Sequence, residues 1–380
     1  MIPQKTRGNF YIGLMSGSSL DSVDVILAEI KKEKLKLIKT HSHPIDELLR
    51  NEILALCHPG ENEIYRMGVM DVKLGRLFAE AIHMLLKKSH LTAQDIAAIG
   101  SHGQNIRHNP QGNYPFTLQI GDPNIIAAET GITTVADFRR RDMALGGQGA
   151  PLAPAFHNFI FKNISGTHGI VNIGGIANLT LLSENKKDII GFDTGPGNTL
   201  LDAWAYHHLK KRYDNNGEWA LSGKINIPLL NALLADEYFK KPYPKSTGRE
   251  YFNLDWVKHY INSLDARKST AISAADLQAT LTELTAKTIA DNINHYSSNK
   301  KNTHIWVCGG GAKNIYLMER LQAQCPFKIL STDAVGIPIE WVEAAAFAWF
   351  AQQTLHQQPS NIPSVTGAHN AAILGGIYCG

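Results

Sequence analysis

The stretch GIVNIGGIANLTLLSENKKDIIGFDTGPGN, residues 169–198, decides the fold. It holds three apolar runs, 169–173, 177–182 and 188–192, with glycines between them. That is the spacing of successive short strands. It closes on Asp193 at a strand end, a proline flanked by glycines, and then a helical pattern with Leu200, Leu201, Trp204 and Ala205 on one face. The same order stands once before. Run 10–14 leads into MSGSSLDSVD at 15–24, run 23–30 is apolar with polar interruptions, and 35–40 alternates with lysines.

Helical patterns and further strands follow both units. After the first come helices at 45–56 and 61–88, then strands at 96–100, 116–120 and 133–136 with a helix at 125–130. Met67, Met70, Leu74, Leu77, Phe78 and Ile82 recur at helical spacing, the pattern of a core face. After the second come helices at 274–296, 314–322 and 341–353, with strands at 304–308 and 328–331. Residues 240–250, rich in proline, lysine and glycine, read as a mobile surface loop. The two halves share element order but negligible sequence identity. Two α/β domains facing one another across a central cleft satisfy this pattern.

Composition sets bounds. A chain of 380 residues suits two domains, and 44% hydrophobic with 19% charged residues is ordinary for a globular protein. The net charge of +3 argues against a nucleic-acid or acidic-membrane surface. Cys57, Cys308, Cys325 and Cys379 form no Cys-x-x-Cys pair, so a structural zinc site is not expected. No apolar run spans a bilayer and no apolar signal core precedes the first strand, which places the protein in the cytoplasm.

Each motif has two readings. In residues 17–24 (Gly17, Ser18, Ser19, Leu20, Asp21, Ser22, Val23, Asp24), backbone and hydroxyl donors after a strand suit phosphate oxygens, and Asp21 and Asp24 suit waters on Mg²⁺. A tight hairpin turn explains the same residues. NIGGIAN at 172–178 is a phosphate-gripping hairpin or merely a hairpin. Asp193, before Gly195, Gly197 and Asn198, is a proton acceptor at a cleft or a turn-capping carboxylate. CGGGAKN at 308–314 leaves backbone open to a nucleoside but fails the Gly-x-Gly-x-x-Gly pattern, and no Walker A sequence occurs. ADFRRRDMALGGQGAPL at 136–152 sets three arginines before a glycine-rich loop, where guanidinium forks suit carboxylates and phosphates; a solvated basic turn is the plain alternative. SHGQNIRHNP at 101–110 is a polar run leaving a buried strand, as substrate loops do.

Taken in order, MSGSSLDSVD, SHGQNIRHNP, LQIGDP, ADFRRRDMALGGQGAPL, NIGGIANLT, GFDTGPGNTLLDAW, CGGGAKN and EWVEAAAFAW make the chain resemble the anhydro-N-acetylmuramic acid kinase family from about residue 11 to 376. The resemblance implies the fold of sugar kinases, actin and heat-shock ATPases: two duplicated actin-like, ribonuclease H-like domains. It suggests domain I at 1–136 plus about 350–380 and domain II at 137–349. It implies ATP, Mg²⁺, an amino-sugar substrate and a homodimer. The family's reaction opens the 1,6-anhydro ring with water and phosphorylates the 6-oxygen, giving N-acetylmuramic acid 6-phosphate for cell-wall recycling.

By the same match Asp193 is the catalytic base. Residues Gly17–Asp24, Asn172, Gly174, Gly175, Asn178, Gly195, Gly197, Asn198 and Gly309, Gly310 and Gly311 face ATP. Ser101, His102, Gly103, Gln104, Glu343 and one of Arg139 and Arg140 hold the sugar, an arginine taking its lactyl carboxylate. Where the family reads GTSLDG the chain reads GSSLDS: Ser18 retains the hydroxyl, and Ser22 replaces a glycine, which bears on the turn only if that position needs positive φ. Two other functions fit the same motifs: a sugar kinase in which Asp193 deprotonates a substrate hydroxyl, and a catalytically silent nucleotide-binding regulator.

Overall fold

The computed structural model describes residues 8–17, 20–183, 188–264, 272–297 and 302–380. The chain forms two compact units, one of residues up to 163 together with 341–380, the other of 164–340. The strands in chain order are β1 (Phe10–Ser16), β2 (Ser22–Lys31), β3 (Lys34–Pro44), β4 (Ile96–Ser101), β5 (Gln104–Asn109), β6 (Phe116–Ile120), β7 (Thr134–Ala136), β8 (Thr167–Ile173), β9 (Ile176–Leu181), β10 (Ile190–Pro196), β11 (Thr303–Cys308), β12 (Ile329–Ser331) and β13 (Gly376–Tyr378).

The first sheet runs β13-β7-β4-β1-β2-β3 and the second β10-β9-β8-β11-β12. In the first, β1, β2 and β3 are antiparallel neighbours, and β4 joins β1, then β7 joins β4, in parallel. In the second, β8, β9 and β10 repeat the antiparallel set, and β11 and β12 repeat the parallel pair. The fold is α/β, and the two units carry one topology twice, the duplicated ribonuclease H-like arrangement of actin-like domains. Among the described residues, β13 is the strand of the first sheet without a counterpart in the second; it closes the first sheet antiparallel to β7, and β5 and β6 form a separate two-stranded sheet.

Helices bury the sheets because their apolar faces match. In the helix Glu63–Ser89, Met70, Leu74, Phe78, Ile82 and Leu85 lie within the core that covers Ile12, Leu14 and Val25. In the second unit the helices Ala274–Ser297 and Ile315–Gln324 supply Ile289, Ile293, Leu317 and Leu321 to the core over Val171, Leu179 and Val307. A separate helical core gathers Leu200, Leu229, Leu233, Phe252, Val257 and Leu281. Among the described residues no helix is long and apolar enough to cross a membrane.

The units divide the chain at other points than the sequence boundaries of 136/137 and 349/350. Residues 341–349 fall in the first unit because the helix Val342–Leu355 rests as one piece on β1 and β4. A Cβ on Gly13 would stand 1.8 Å from the Ala344 carbonyl oxygen, and one on Gly100 1.9 Å from that of Phe347. Residues 137–163 join the first unit through Asp142, which is fully buried. Its carboxylate accepts from Asn361 Nδ2 and Thr366 Oγ1, both at 2.7 Å, and from the Gly149 N–H at 2.8 Å.

Two local readings change. The polar run 101–110 is partly a strand, since β5 pairs antiparallel with β6 and buries Ile106. The segment 240–250 lies at the surface over 240–244 and at 250, but its middle is pinned, for Lys245 is 8% exposed and the Thr247 N–H donates to Asp193 Oδ2 at 3.0 Å.

Candidate active site

Strand register builds the site in the second unit. Asp193 on β10 stands opposite Asn178 on β9, Asn178 opposite Asn172 on β8, and Asn172 opposite Cys308 on β11. These residues form one row across four strands. At about 4.8 Å per strand the row sets the Asp193 and Asn172 backbones roughly 10 Å apart. A bulge interrupts β10 after Asp193: Gly195 pairs with Ala177, so Thr194 is the extra residue. A bulge bends a strand and re-aims its side chains.

The glycine-rich turns close on this row. The N–H groups of Gly197 and Thr199 donate to the Gly175 carbonyl at 2.9 and 3.0 Å, and that of Asn198 to the Gly174 carbonyl at 2.8 Å. Asn198 Nδ2 donates to the Ile173 carbonyl at 3.1 Å. Gly309 has φ 82°, and a Cβ there would meet Asn172 Oδ1 at 2.3 Å; on Gly197 it would meet the Gly174 carbonyl oxygen at the same distance. These two glycines let three turns approach. Gly174 and Gly310 differ: a Cβ would meet nothing closer than 3.5 and 3.8 Å. These are ordinary contact distances, so packing does not demand glycine there; Gly310 is exposed and Gly174 half-buried, and both offer bare backbone of the kind a nucleotide can approach.

Asp193 is partly exposed. Burial pushes its carboxyl up to about 7; Glu250 pushes the same way, while the Thr247 N–H and Lys245 pull against it. A carboxylate so poised accepts protons near neutral pH. The Asp193 N–H donates to the Lys245 carbonyl at 3.1 Å, and the Tyr238 hydroxyl to the Asp193 carbonyl at 2.7 Å.

A second constellation forms in the first unit. Leu14 stands opposite Ser101, and the His102 N–H donates to the Leu14 carbonyl at 3.0 Å. Ser16 Oγ donates to Gln104 Oε1 at 2.6 Å, and Gln104 Nε2 to the Asn105 carbonyl at 3.1 Å, so the Gln104 amide ties the end of β1 to β5. Gly103 has φ 71°, and its N–H donates to Ser101 Oγ at 3.3 Å. Arg139 donates through Nη1 to the Gly149 carbonyl at 2.8 Å and contacts His102 Nε2 through Nη2 at 2.9 Å. Arginine only donates, so Nε2 accepts and His102 is neutral. Its pKa lies well below the usual range through burial and then Arg139. Arg139 Nε is buried with no hydrogen-bond partner among the described residues, a donor suited to a ligand oxygen. Burial lowers the Arg139 pKa, and Glu343, then Asp142, opposes that. Arg140 points elsewhere, donating through Nε to Asp137 Oδ2 at 2.8 Å with most of its side chain exposed.

The first glycine turn lies in the same unit. The Leu20 N–H donates to the Gly17 carbonyl at 3.2 Å. Among the described residues of this turn the one with left-handed backbone is Leu20, φ 56°, while Ser22 opens β2, so the exchanged glycine costs no strain there. Val23 is buried against the core and offers no side-chain donor. Asp24 Oδ1 accepts from Ser22 Oγ at 3.0 Å and Ser42 Oγ at 2.8 Å. Ser18 and Ser19 lie outside the described residues. Among the described residues no group of three or more His, Cys, Asp or Glu side chains could hold a metal ion.

With this geometry in place, likeness to known proteins is decisive. The anhydro-N-acetylmuramic acid kinase family model matches residues 9–380. The chain belongs to the anhydro-N-acetylmuramic acid kinase family. The protein named anhydro-N-acetylmuramic acid kinase of Coxiella burnetii (strain Dugway 5J108-111) is 54% identical over 372 residues, 97% of each chain. That of Pasteurella multocida (strain Pm70) is 49% identical, covering 97% of this chain and 96% of its own. That of Photobacterium profundum is 48% identical, covering 97% of this chain and 98% of its own. Among solved structures, component A of the Acidaminococcus fermentans (R)-2-hydroxyglutaryl-CoA dehydratase aligns at TM-score 0.48 and 12% identity over 91% of this chain and 99% of that one. Family membership rests on the sequence relatives.

The structure thus brings together Asn172, Gly174, Gly175, Asn178, Asp193, Gly195, Gly197, Asn198 and Gly309–Gly311 in one unit, and Ser101–Gln104, Arg139 and Glu343 in the other. Ser16, Tyr238, Lys245 and Thr247 touch these groups and were not expected. Ser16 was visible inside MSGSSLDSVD; the other three sit about fifty residues beyond Asp193, and no local pattern announces so long a return.

Proposed function

We propose that this chain opens the 1,6-anhydro ring of anhydro-N-acetylmuramic acid with water and phosphorylates the 6-oxygen from ATP, giving N-acetylmuramic acid 6-phosphate and ADP. What carries this reading is the row that runs from Asp193 through Asn178 and Asn172 to Cys308, beside the half-buried Gly174 and the exposed Gly310. It aligns one proton acceptor with a backbone surface fit for phosphates and a nucleoside.

An alkoxide is a poor leaving group, and glycosidases protonate it. A kinase has another remedy, since the departing oxygen can take the phosphoryl group. As the C1–O6 bond breaks, water oxygen bonds to C1, and O6 bonds to the γ-phosphorus while the bond from that phosphorus to the β,γ-bridging oxygen breaks and ADP leaves. Asp193 takes the proton that the water loses. Its raised pKa makes it a stronger base than an ordinary carboxylate and keeps it largely ionised only above about pH 7.

Arg139 fits the lactyl carboxylate better than Arg140, because its spare Nε–H is buried whereas Arg140 is engaged with Asp137. Ser101, His102, Gly103 and Gln104 form the wall beside it, and Glu343 is assigned to the hydroxyl or amido face of the sugar. Mg²⁺, when bound with the nucleotide, neutralises charge on the phosphate oxygens. Such an ion needs one or two carboxylates besides phosphates and water. Asp21 and Asp24 are the carboxylates assigned to that role, through water; Asp24 Oδ1 also accepts from two serine hydroxyls. The resemblance extends the reading to a cytoplasmic homodimer.

The test is mass spectrometry of the product made in oxygen-18 water with anhydro-N-acetylmuramic acid and Mg-ATP. One label at the anomeric hydroxyl and one added phosphate are expected. Phosphorylation with the ring intact, or without label, refutes ring opening by water.

A further inference from the structure

Asp193 is tied to a part of the chain that the chemistry above does not use. Asp236, 6% exposed, receives four donors. Its Oδ1 accepts the Tyr238 N–H at 2.7 Å and the Tyr251 hydroxyl at 2.8 Å. Its Oδ2 accepts Trp256 Nε1–H at 2.9 Å and the Tyr260 hydroxyl at 2.8 Å. Burial alone would raise its pKa, yet these donors outweigh it and the net direction is down. A carboxylate with both oxygens doubly satisfied is a fixed point. Around it Phe252 packs edge-on to Tyr238, Tyr251 and Trp256.

From this hub three bonds reach the base. The Tyr238 hydroxyl holds the Asp193 carbonyl, the Lys245 carbonyl takes the Asp193 N–H, and the Thr247 N–H holds Asp193 Oδ2. Main chain on both sides and one carboxylate oxygen are therefore set by residues 238–247; Oδ1 receives none of these bonds. The Lys245 ammonium lies 5.0 Å from the Tyr238 ring and 5.8 Å from that of Phe192, the residue before the base.

The geometry points to Asp236 as the positioning residue of the candidate base: through Tyr238 and the segment 238–251 it fixes the place and direction of the Asp193 carboxylate, without meeting either substrate. This rests on the reading of Asp193 as base. A displacement of about 1 Å at a reacting group can cost two orders of magnitude in rate. The segment also sets the field at Asp193, where Glu250, Lys245 and Tyr238 are the charged or titratable groups that act on it, and Lys241 acts on Lys245.

The decisive variant is Tyr238→Phe. It deletes the link to Asp193 but none of the four donors to Asp236, because Tyr238 reaches Asp236 through its backbone. Asp236→Asn, which weakens the hub, is the companion; if it does not fold, Tyr238→Phe decides alone. Steady-state kinetics across pH are measured on the full chain, with circular dichroism to show folding. The expected result is kcat lower by about tenfold, with KM for ATP and sugar within about twofold. The acidic limb of kcat/KM moves to lower pH, as water reaches a less buried carboxylate. A purely structural role would leave that limb in place. A folded Tyr238→Phe with unchanged kcat and unchanged limb overturns the inference. Asp193→Asn runs alongside. If it is inactive while Tyr238→Phe matches the parent, only the positioning role fails; if it is active, the base reading fails and this inference with it.

Discussion

Asp193 and Arg139 each bring a group into the protein at a cost that function explains. Asp193→Asn should abolish turnover but leave ATP affinity within a few-fold, as measured by titration calorimetry, because the base is needed for chemistry alone. Its pH behaviour has a sign. A carboxyl whose folded pKa is raised to about 7, above its unfolded value near 4, binds more protons folded than unfolded in that window. Stability therefore falls as pH rises from about 4 to 7, whereas activity rises. Asparagine removes the ionisation and can still accept the Thr247 N–H through its amide oxygen. Asp193→Asn should thus melt several degrees higher than the parent at pH 8 and near it at pH 4, by thermal scan. At the sugar end, Arg139→Ala should raise the KM for sugar by about tenfold or more, while Arg140→Ala stays within about twofold. Equal effects would undo the choice between the two arginines.

At the scale of elements, backbone proximity governs. The helix Val342–Leu355 lies so near β1 and β4 that only glycine fits at positions 13 and 100. An added methyl at Gly100 meets the Phe347 carbonyl, a backbone atom that cannot swing aside. Gly100→Ala should destabilise the protein by roughly 2–3 kcal/mol, read by urea denaturation. The shift also carries past Ser101 to His102, which packs on Phe347 with ring centroids 4.8 Å apart. The variant should therefore raise the KM for sugar more than that for ATP. The helix start at 341–342 and the substrate candidates at 101–104 are one mechanical piece, which is why Glu343 and Arg139 belong to the same unit.

At the scale of the whole molecule, two units with separate cores should not unfold as one. Calorimetry should give a heat of unfolding larger than a two-state fit to the same trace. ATP at a hundredfold excess over its Kd should add about 2.7 kcal/mol to whatever folded species holds it. Raising ATP should shift the transition assigned to residues 164–340, where Gly174 and Gly310 lie, and a trace indifferent to ATP would contradict their assignment.

The sequence by itself determined the class of fold, the repeat and most of the candidate residues, because these are local signals. Period-2 apolar runs make strands, period-3.6 faces make helices, and glycine with aspartate after a strand marks a turn that can do chemistry. Tertiary structure alone decided what depends on distant parts of the chain meeting. It separated Arg139 from its neighbour Arg140, since one side chain turns to His102 and the other to Asp137. It grouped residues 341–349 with the first compact unit, because a helix goes with the sheet that accepts its backbone. It also showed that the segment 240–250, expected as a surface loop, is held at Lys245 and Thr247 against Asp193, the candidate base. Residues about fifty positions apart share no periodicity, and only the folded chain brings the Thr247 N–H to Asp193.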